Sequence, residues 1–205
     1  MKRPTFIARQ AGHPAGWFGR LLLRVMARET FRFNHEILDT LAVADSERVL
    51  EIGFGHGRTL LDAARRVREA TLAGIDIAPD AERVASRRCK ELIEGGRLVL
   101  KTGDAADLPW TDGSFDAVYS VHTIYFWERP QDPLAQVRRV LSKQGRFVLG
   151  MRERTDDVAS HFPASVYRFY SGEEVVSMLR EVGFSRADVR TSTTSDTLRI
   201  VTATA

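Results

Sequence analysis

Cysteine is almost absent from this 205-residue chain, whose sequence holds the single thiol of Cys89. One cysteine cannot form a disulfide within the chain, which is typical of proteins in a reducing compartment and predicts a cytoplasmic location. The sequence also lacks any apolar run near the roughly 18 residues that a membrane-spanning helix needs. The N-terminus lacks the apolar segment of a secretory signal, so the sequence does not predict export.

A strong excess of charge of either sign is missing too. The 30 Lys and Arg residues nearly balance the 27 Asp and Glu residues, which leaves a net charge of +3. This balance argues against nucleic acid as a partner, because phosphate backbones are bound mainly through clustered positive charge. A hydrophobic content of 43% is instead typical of one globular domain with a sizeable core.

The first 47 residues carry a separate, mostly helical pattern. Residues 17–28 place apolar side chains on one face and arginines on the opposite face, and residues 34–41 predict a second short helix. A basic amphipathic helix of this kind can lie peripherally on an anionic membrane. We favour the other interpretation, an N-terminal helical cap over residues 1–47 within the same domain, because a large domain next to it offers an apolar surface to cover.

From residue 48 onward, short apolar strands alternate with helical patterns. Strands are predicted at residues 48–52, 71–77, 97–101, 115–121 and 146–151, and helices at residues 59–70, 79–94, 132–142 and 171–180. Repeated strand–helix units predict an α/β fold with a mostly parallel sheet and helices on both faces. Two last strands, at 184–190 and 198–204, are joined by a short polar link, which predicts an antiparallel C-terminal hairpin.

The first strand ends in three glycines at alternate positions, Gly53, Gly55 and Gly57, and a helical pattern follows at once. Such glycines leave backbone N–H groups open to a ligand, because no Cβ blocks the approach. Asp76 ends the second strand about 20 residues further on, where an acidic residue can accept hydrogen bonds from ribose hydroxyls. These features predict a Rossmann-like doubly wound sheet that binds an adenosine-containing cofactor.

Four motifs extend this pattern along the chain: Glu51-x-Gly53-x-Gly55-x-Gly57, Asp76, Gly103-Asp104-Ala105 after the third strand, and Phe115-Asp116-Ala117-Val118 in the fourth. In these motifs the chain resembles the class I S-adenosylmethionine-dependent methyltransferases, and among them the small type 11 or ubiquinone-biosynthesis-like group. The resemblance covers residues 48–150 by motif and implies a methyltransferase domain over residues 48–205. It implies S-adenosylmethionine as cofactor, S-adenosylhomocysteine as product, and no metal.

The resemblance also implies roles for the residues of the first turn. Gly53, Gly55 and Gly57 would pass close to the methionyl part of the cofactor. Glu51 would orient the amino group of the cofactor, directly or through water. His56, in the same turn, is expected to be a solvated loop residue.

Residues after the next three strands complete the implied cofactor site. Asp76 would hold the ribose hydroxyls, with Ile77 beside the adenine. Asp104 would accept a hydrogen bond from the adenine amino group, with Ala105 alongside. Val121, at the end of the fourth strand, would lie near the methionine moiety.

A sulfonium methyl group is already activated, so its transfer needs mainly positioning and exclusion of water. A general base is needed only where the acceptor must lose a proton, and the candidates are His122 and Tyr125. Both lie in the segment that leaves the carboxyl end of the fourth strand, where open α/β sheets bind ligands. The other possibility for this segment is an aromatic packing cluster. We expect a small organic acceptor, because the sequence holds no Asn/Asp-Pro-Pro-Tyr run, no cysteine at an expected nucleophile position and no metal-ligand spacing.

Aromatic residues from two segments without a partner in the predicted sheet are expected to lie over the carboxyl ends of the strands and wall the acceptor pocket. Phe33 and His35 come from the N-terminal cap, and Tyr167 and Tyr170 come from the stretch before the last helix. Facing Tyr125, they would suit a flat or apolar acceptor. The alternative is that these aromatics only attach the cap to the domain.

Two other functions stay open at this point. A non-catalytic S-adenosylmethionine-binding or regulatory protein can keep the same fold, since fold does not imply function. An NAD-binding Rossmann protein would share the glycine turn and the acidic residue, although it would usually need a further substrate domain for which no chain remains.

Overall fold

The computed structural model describes residues 31–155, 158 and 161–205, so the helix predicted at residues 17–28 lies outside this part. The elements in chain order are α1 (Phe31–Leu41), β1 (Arg48–Ile52), α2 (Arg58–Arg66), β2 (Thr71–Asp76), α3 (Pro79–Arg88), α4 (Lys90–Glu94), β3 (Leu98–Thr102), β4 (Phe115–Val121), a 3₁₀ turn (Ile124–Phe126), α5 (Gln131–Val140), β5 (Leu141–Arg152), α6 (Gly172–Glu181), β6 (Arg186–Thr191) and β7 (Leu198–Thr204).

Seven strands form one sheet in the order β3-β2-β1-β4-β5-β7-β6. β1 to β5 are parallel, whereas β7 pairs antiparallel with both β5 and β6. This confirms the predicted Rossmann-like sheet, mostly parallel with an antiparallel C-terminal hairpin. The strand order reverses between β1 and β4, because the chain runs outward from β1 to β3 and then returns to the other side of β1. In open α/β sheets, ligands bind at the carboxyl ends of strands beside such a reversal.

Both faces of the sheet are buried, which explains why its strands are nearly continuous apolar runs. Leu50 and Val118 pack on one face, in a core that includes residues of α5 and α6. Val49 and Ala117 pack on the opposite face, in a core that includes residues of α1, α2 and α3. Fully burying a Val or Leu side chain contributes about 1.5–3 kcal/mol, so the two cores hold the central strands firmly in place.

α1 covers the second of these faces and is the described part of the N-terminal segment. Phe33, Ile37 and Leu41 are buried, and the helix contacts β4 and β5. Gly150 in β5 makes room for it, since a Cβ there would lie 2.8 Å from Phe33 Cε1 and from Ile37 Cδ1. The helix therefore lies mainly on a face of the sheet, which differs from the predicted position over the strand ends.

Two of the differences from the predicted helix boundaries have a clear structural cause. α2 ends early, where the chain turns at Val67 and the Arg97 guanidinium donates to the carbonyl oxygen of Val67 at 2.7 Å. The helix predicted at 79–94 is divided into α3 and α4 at Cys89, whose buried thiol lies 3.4 Å from the carbonyl oxygen of Gly57. Neither contact is visible in the local pattern, because each joins residues about thirty positions apart.

Within the described ranges, no helix has both the length and the apolar character needed to cross a membrane. The basic amphipathic segment considered for peripheral membrane contact falls outside those ranges.

Candidate active site

A cavity of about 480 Å³ opens at the carboxyl ends of β1, β2 and β4, where the strand order reverses. Among its lining residues are these members of the predicted cofactor site: Glu51, Gly53, Gly55, Asp76, Ile77, Asp104, Ala105 and Val121. They come together because parallel strands bring their carboxyl ends to the same edge of the sheet. Gly57 is the one member of the predicted set that does not line the cavity.

The glycine turn explains this difference. Gly53, Gly55 and Gly57 all have positive φ, at 76°, 53° and 72°, a region that glycine occupies without steric cost. A Cβ on Gly53 would collide with the side chain of Thr123, another lining residue. A Cβ on Gly57 would instead lie 2.8 Å from the Cβ of Ala85 in α3. Gly53 and Gly55 thus form cavity wall, while Gly57 allows α2 and α3 to approach closely.

Glu51 is the most deeply buried carboxyl group of the cavity, with 3% of its surface exposed. Burial raises the pKa of this carboxyl to about 8, the Tyr119 hydroxyl lowers it and the charge of Asp76 raises it further. Tyr119 donates its hydroxyl proton to Glu51 Oε2 at 2.9 Å. Glu51 is therefore mostly neutral at neutral pH, and a cation placed beside it would favour its ionised form.

Asp76 ties the glycine turn to the end of β2. Its Oδ2 accepts a hydrogen bond from Gly55 N–H at 2.8 Å, and its Oδ1 accepts one from Ala78 N–H at 2.9 Å. A carboxylate oxygen can accept a second hydrogen bond, so these contacts are compatible with sugar hydroxyls as further donors. Next to it, Ile77 is 43% exposed at the cavity, an apolar surface that a flat ring could cover.

The third carboxyl group, Asp104, is exposed at the far side of the cavity, where its Oδ1 accepts from Ala106 N–H at 2.9 Å. Ala105 is buried beside it. Glu51 in β1, Asp76 ending β2 and Asp104 after β3 thus present acceptors in sequence along one cavity. An ammonium group, ribose hydroxyls and an adenine amino group are the donors of S-adenosylmethionine, so the residues present fit that molecule.

His122 lines the cavity immediately after β4, in a left-handed conformation with φ of 59°. Its N–H donates to the carbonyl oxygen of Gly150 at 2.8 Å, and its Nδ1 lies 2.9 Å from Tyr125 Oη. Tyr125 Oη in turn accepts a hydrogen bond from Arg152 N–H. Burial and then the charge of Arg152 lower the pKa of His122 to about 4, while burial raises the pKa of Tyr125 well above its usual value. Both side chains are therefore neutral at neutral pH.

The residues predicted to wall the acceptor pocket do not line this cavity. Phe33 is buried between α1 and the sheet, on the face opposite to Tyr125 and Tyr167. His35 is half exposed and lies 3.6 Å from a carboxylate oxygen of Asp62 in α2. Among the described residues, Phe33 and Tyr167 therefore pack on different faces of the sheet and do not face each other.

Tyr125 and Tyr167 belong instead to an aromatic cluster behind the cavity. The ring of Phe169 stacks on that of Tyr167, with centroids 5.7 Å apart and an angle of 9° between the planes. Phe169 also lies 4.8 Å from Tyr125, and Phe126 lies 5.0 Å from Tyr167. Tyr170 is half-buried beside this core and does not line the cavity. Tyr125 and Tyr167 thus pack in this cluster, which both Phe126 and His122 connect to the cavity lining.

Sequence reasoning missed several lining residues. Asn34 reaches the cavity from α1 and donates to Thr59 Oγ1 at 3.1 Å, and Phe126 and Trp127 reach it from the 3₁₀ turn and the residue after it. Phe126 and Trp127 belong to the same aromatic run as His122. The sequence therefore points to this run, but it does not indicate that Phe126 and Trp127 line the cavity. Nothing in the sequence points to Asn34 as a lining residue, because its aromatic neighbour Phe33 is the more prominent candidate for the pocket.

His56 corrects another expectation, since it is 8% exposed rather than solvated. Its Nδ1 accepts a hydrogen bond from Arg58 N–H at 3.0 Å, and Arg88 from α3 donates to its carbonyl oxygen at 2.8 Å. Burial, and after it the charges of Arg88 and Arg58, lower the pKa of His56 to about 4. The ring is therefore a neutral part of the cavity lining.

Within the described residues, no group of three or more His, Cys, Asp or Glu side chains is arranged to hold a metal ion.

Comparison with known proteins agrees with this geometry. A family model described as "Methyltransferase domain" matches residues 50–149, close to half of the chain. The chain is 26% identical over 166 residues to the uncharacterized methyltransferase YdaC of Bacillus subtilis, a match that covers 81% of this chain and 87% of that protein. It is 41% identical over 111 residues to a fatty-acid O-methyltransferase of Mycolicibacterium smegmatis, covering 53% of this chain and 39% of that protein.

Among solved structures, the fold is similar to that of an S-adenosylmethionine-dependent methyltransferase from Aquifex aeolicus. The TM-score is 0.73 and the match covers 99% of each chain, at 16% sequence identity. The fold, the four sequence motifs, the matched domain and the carboxylate-lined cavity agree with one another. Together they support a class I S-adenosylmethionine-dependent methyltransferase of type 11.

Proposed function

We propose that the cavity binds S-adenosylmethionine and that the protein transfers its methyl group to an oxygen atom of a small organic molecule. The observation that carries the proposal is the placement of Glu51, Asp76 and Asp104 around one cavity whose wall includes the backbone of Gly53 and Gly55. When bound, the cofactor supplies a methyl group activated by a sulfonium. The residues of the chain supply position and exclusion of water.

Glu51, Gly53 and Gly55 would hold the methionyl part. Glu51 is a buried carboxyl whose one described hydrogen-bond donor is Tyr119, which suits an ammonium partner. The two glycines leave backbone uncovered on the cavity side, so a ligand can approach it closely. Val121, half-buried at the end of β4, would contact the same part of the cofactor.

Asp76 would accept from the ribose hydroxyls in addition to its contacts with Gly55 N–H and Ala78 N–H. Ile77 would lie against the adenine ring, which would cover its exposed side chain. Asp104 would accept from the adenine amino group, with Ala105 beside the ring.

The acceptor would occupy the part of the cavity next to His122, Phe126 and Trp127. Two of these three side chains are large aromatics, which suits an acceptor with an apolar portion. Oxygen as the methylated atom is supported by the relative from Mycolicibacterium smegmatis, which is a fatty-acid O-methyltransferase. Because the chain covers 39% of that protein, the likeness concerns the methyltransferase domain rather than the whole of its activity.

The domain organisation is also proposed: residues 1–47 form a helical cap within the same domain as residues 48–205. The described part of the cap supports this, because α1 buries Phe33 and Ile37 against the sheet and has no separate core of its own. A cytoplasmic location is proposed from the single cysteine of the sequence, Cys89.

Calorimetric titration with S-adenosylhomocysteine tests the cofactor site. Asp76→Ala should weaken binding by about 1–3 kcal/mol, because buried polar partners lose a hydrogen bond. Asp188→Ala is the matched control, since this exposed aspartate on β6 pairs with Arg186 at 2.8 Å, away from the cavity. Equal affinity of the Asp76 variant and the wild type would remove Asp76 from the site.

A further inference from the structure

The backbone at His122, in the cavity wall after β4, has an uncommon conformation that its surroundings enforce. A non-glycine residue at φ of 59° is uncommon and persists where its surroundings enforce it. Here the His122 N–H is fixed by the Gly150 carbonyl oxygen, and the next residue, Thr123, packs against Gly53. The other two described non-glycine residues with positive φ, Ala42 and Ser46, lie in the connection between α1 and β1, away from the cavity.

The hydrogen bonds around the imidazole favour the tautomer with its hydrogen on Nε2. Tyr125 Oη accepts from the backbone N–H of Arg152, so its own hydrogen is free to be donated to His122 Nδ1 at 2.9 Å. A neutral imidazole whose Nδ1 accepts must carry its hydrogen on Nε2. The ring also packs against Phe33, with centroids 5.3 Å apart. The arrangement therefore offers the cavity an N–H donor rather than a lone pair.

Other described groups that line the cavity are poorly placed to remove a proton from an acceptor. The charged and titratable neighbours of His122 itself are Arg152 and Tyr125. Nδ1 of His56 is occupied by Arg58 N–H. Glu51, Asp76 and Asp104 are assigned to the cofactor. Of the remaining lining carboxylates, Asp132 pairs with Arg129 at 3.3 Å and Glu128 is exposed.

We propose that the acceptor is an apolar carboxylic acid in its carboxylate form, and that His122 binds the carboxylate through Nε2–H while Tyr125 acts as a positioning residue for His122. The inference rests on the proposed methyl transfer and names its acceptor class. One carboxylate oxygen forms the new bond to the methyl carbon as the sulfur–carbon bond breaks, and the electron pair of that bond stays on sulfur. No proton moves, so no general base is required.

The electrostatics of the cavity agree with an anionic acceptor. Arg152 places a positive charge near His122, which disfavours an imidazolium and favours an anion there. The reaction joins an anion to a sulfonium and gives two neutral products, so charge disappears along the reaction path. Apolar surroundings favour such a step over the same step in water, because the reactants lose more hydration than the transition state does. Phe126 and Trp127 provide apolar surroundings of this kind.

The acceptor class is tested with matched pairs of acids and alcohols. Octanoate, dodecanoate and phenylacetate are compared with 1-octanol, 1-dodecanol and 2-phenylethanol, with methyl-labelled S-adenosylmethionine and mass spectrometry of the products. We expect at least one carboxylate to be methylated, and every alcohol to react at least about tenfold more slowly than its matched acid. Methylation of none of the acids, or faster methylation of the alcohols, would overturn the inference.

The role of His122 is tested with two variants that share the same backbone cost. His122→Gln keeps an N–H donor without a basic nitrogen, whereas His122→Ala removes both. If His122 donates a hydrogen bond to the acceptor, kcat of His122→Ala on the best carboxylate should be about a hundredfold below that of the wild type. The kcat of His122→Gln should be at least about tenfold above that of His122→Ala. The wild-type kcat should also stay level from about pH 6 to about pH 9. A Gln variant as inactive as the Ala variant, or a kcat that rises with pH in this range, would establish a base instead.

Tyr125→Phe removes the hydroxyl that holds the tautomer and should lower kcat by about tenfold. Because Tyr125 acts through His122, adding Tyr125→Phe to His122→Ala should cause no further loss, whereas independent roles would multiply. Titration with S-adenosylhomocysteine is done for each variant. Wild-type protein that fails to bind it counts against the proposed function, whereas intact binding without carboxylate methylation counts against this inference alone.

Discussion

Cofactor binding should release a proton from Glu51. In the cofactor-free protein, burial raises the pKa of this carboxyl to about 8, so about nine-tenths of it is protonated at about pH 7. An ammonium group placed against the carboxyl would restore the ionised form, because an opposite charge lowers a carboxyl pKa. We therefore expect roughly 0.9 of a proton to leave the protein for each cofactor bound at about pH 7, and close to none above about pH 9.

The release can be counted by isothermal titration calorimetry. Titrations with S-adenosylhomocysteine in phosphate, in imidazole and in Tris differ only in the enthalpy of buffer protonation, and the slope of observed enthalpy against that quantity gives the number of protons. Glu51→Gln is the matched control, because its amide oxygen can still accept from Tyr119 while carrying no titratable proton. The variant should give a slope near zero and bind about 1–3 kcal/mol more weakly.

A slope near zero in the wild type would refute this reasoning. So would the same slope in wild type and Glu51→Gln, because another group would then be the source of the proton. A slope near zero in the wild type would mean that the cofactor amino group binds away from Glu51, or that the Glu51 carboxyl is already ionised before binding.

Gly57→Ala should lower the free energy of unfolding by about 1–3 kcal/mol, because Gly57 has a positive φ and Ala85 lies close to it. Affinity for S-adenosylhomocysteine should stay the same. A urea titration and a binding titration check this prediction, and weakened binding at unchanged stability would contradict the packing role of Gly57. Asp104→Asn should weaken binding roughly tenfold with an intact fold, because an amide donor would face the adenine amino group, whereas Asp107→Asn, a change at an exposed residue outside the cavity, should have no effect. Because the pKa of Glu51 is raised in the folded state, the folded protein keeps a proton that the unfolded chain loses near the ordinary carboxyl pKa. The stability of the wild type should therefore fall relative to that of Glu51→Gln as pH rises toward about 8. Equal melting temperatures of the two proteins across that range would contradict the raised pKa.

The sheet and the cofactor side of the cavity could be predicted from the sequence because their signals are local. The run Arg48–Ile52, the glycines after it and Asp76 at the end of β2 each follow from a strand and the turn after it. Parallel packing then brings those strand ends to one edge without further information. For the same reason, the sequence predicts that Asp104, which follows β3, lies at this cavity.

The acceptor side could not be predicted in the same way. Whether an aromatic side chain lines a cavity or packs in a cluster depends on partners that are distant in sequence. Tyr125 packs against Phe169 and shares a hydrogen bond with His122, while its oxygen accepts from Arg152 N–H. The sequence predicts Phe33 in the same pocket, but Phe33 lies on the opposite face of the sheet.

His56 and Gly57 show the same limit within one turn. Their positions in a glycine-rich turn indicated solvent exposure for one and cofactor contact for the other. Arg88 and Ala85, both from α3, pack against them instead, and this helix begins more than twenty residues later. A sequence motif therefore predicts the path of the backbone better than it predicts what covers each side chain.

The most direct test of the central claim is transfer of an isotopically labelled methyl group from S-adenosylmethionine to a small molecule. Wild-type protein and Asp76→Ala are incubated with labelled cofactor and metabolite extract, and labelled products are identified by mass spectrometry. A methyltransferase that uses this cavity should give a labelled small-molecule product with the wild type and much less with the variant. Binding of the cofactor by the wild type without any labelled product would contradict the account and favour a non-catalytic cofactor-binding protein.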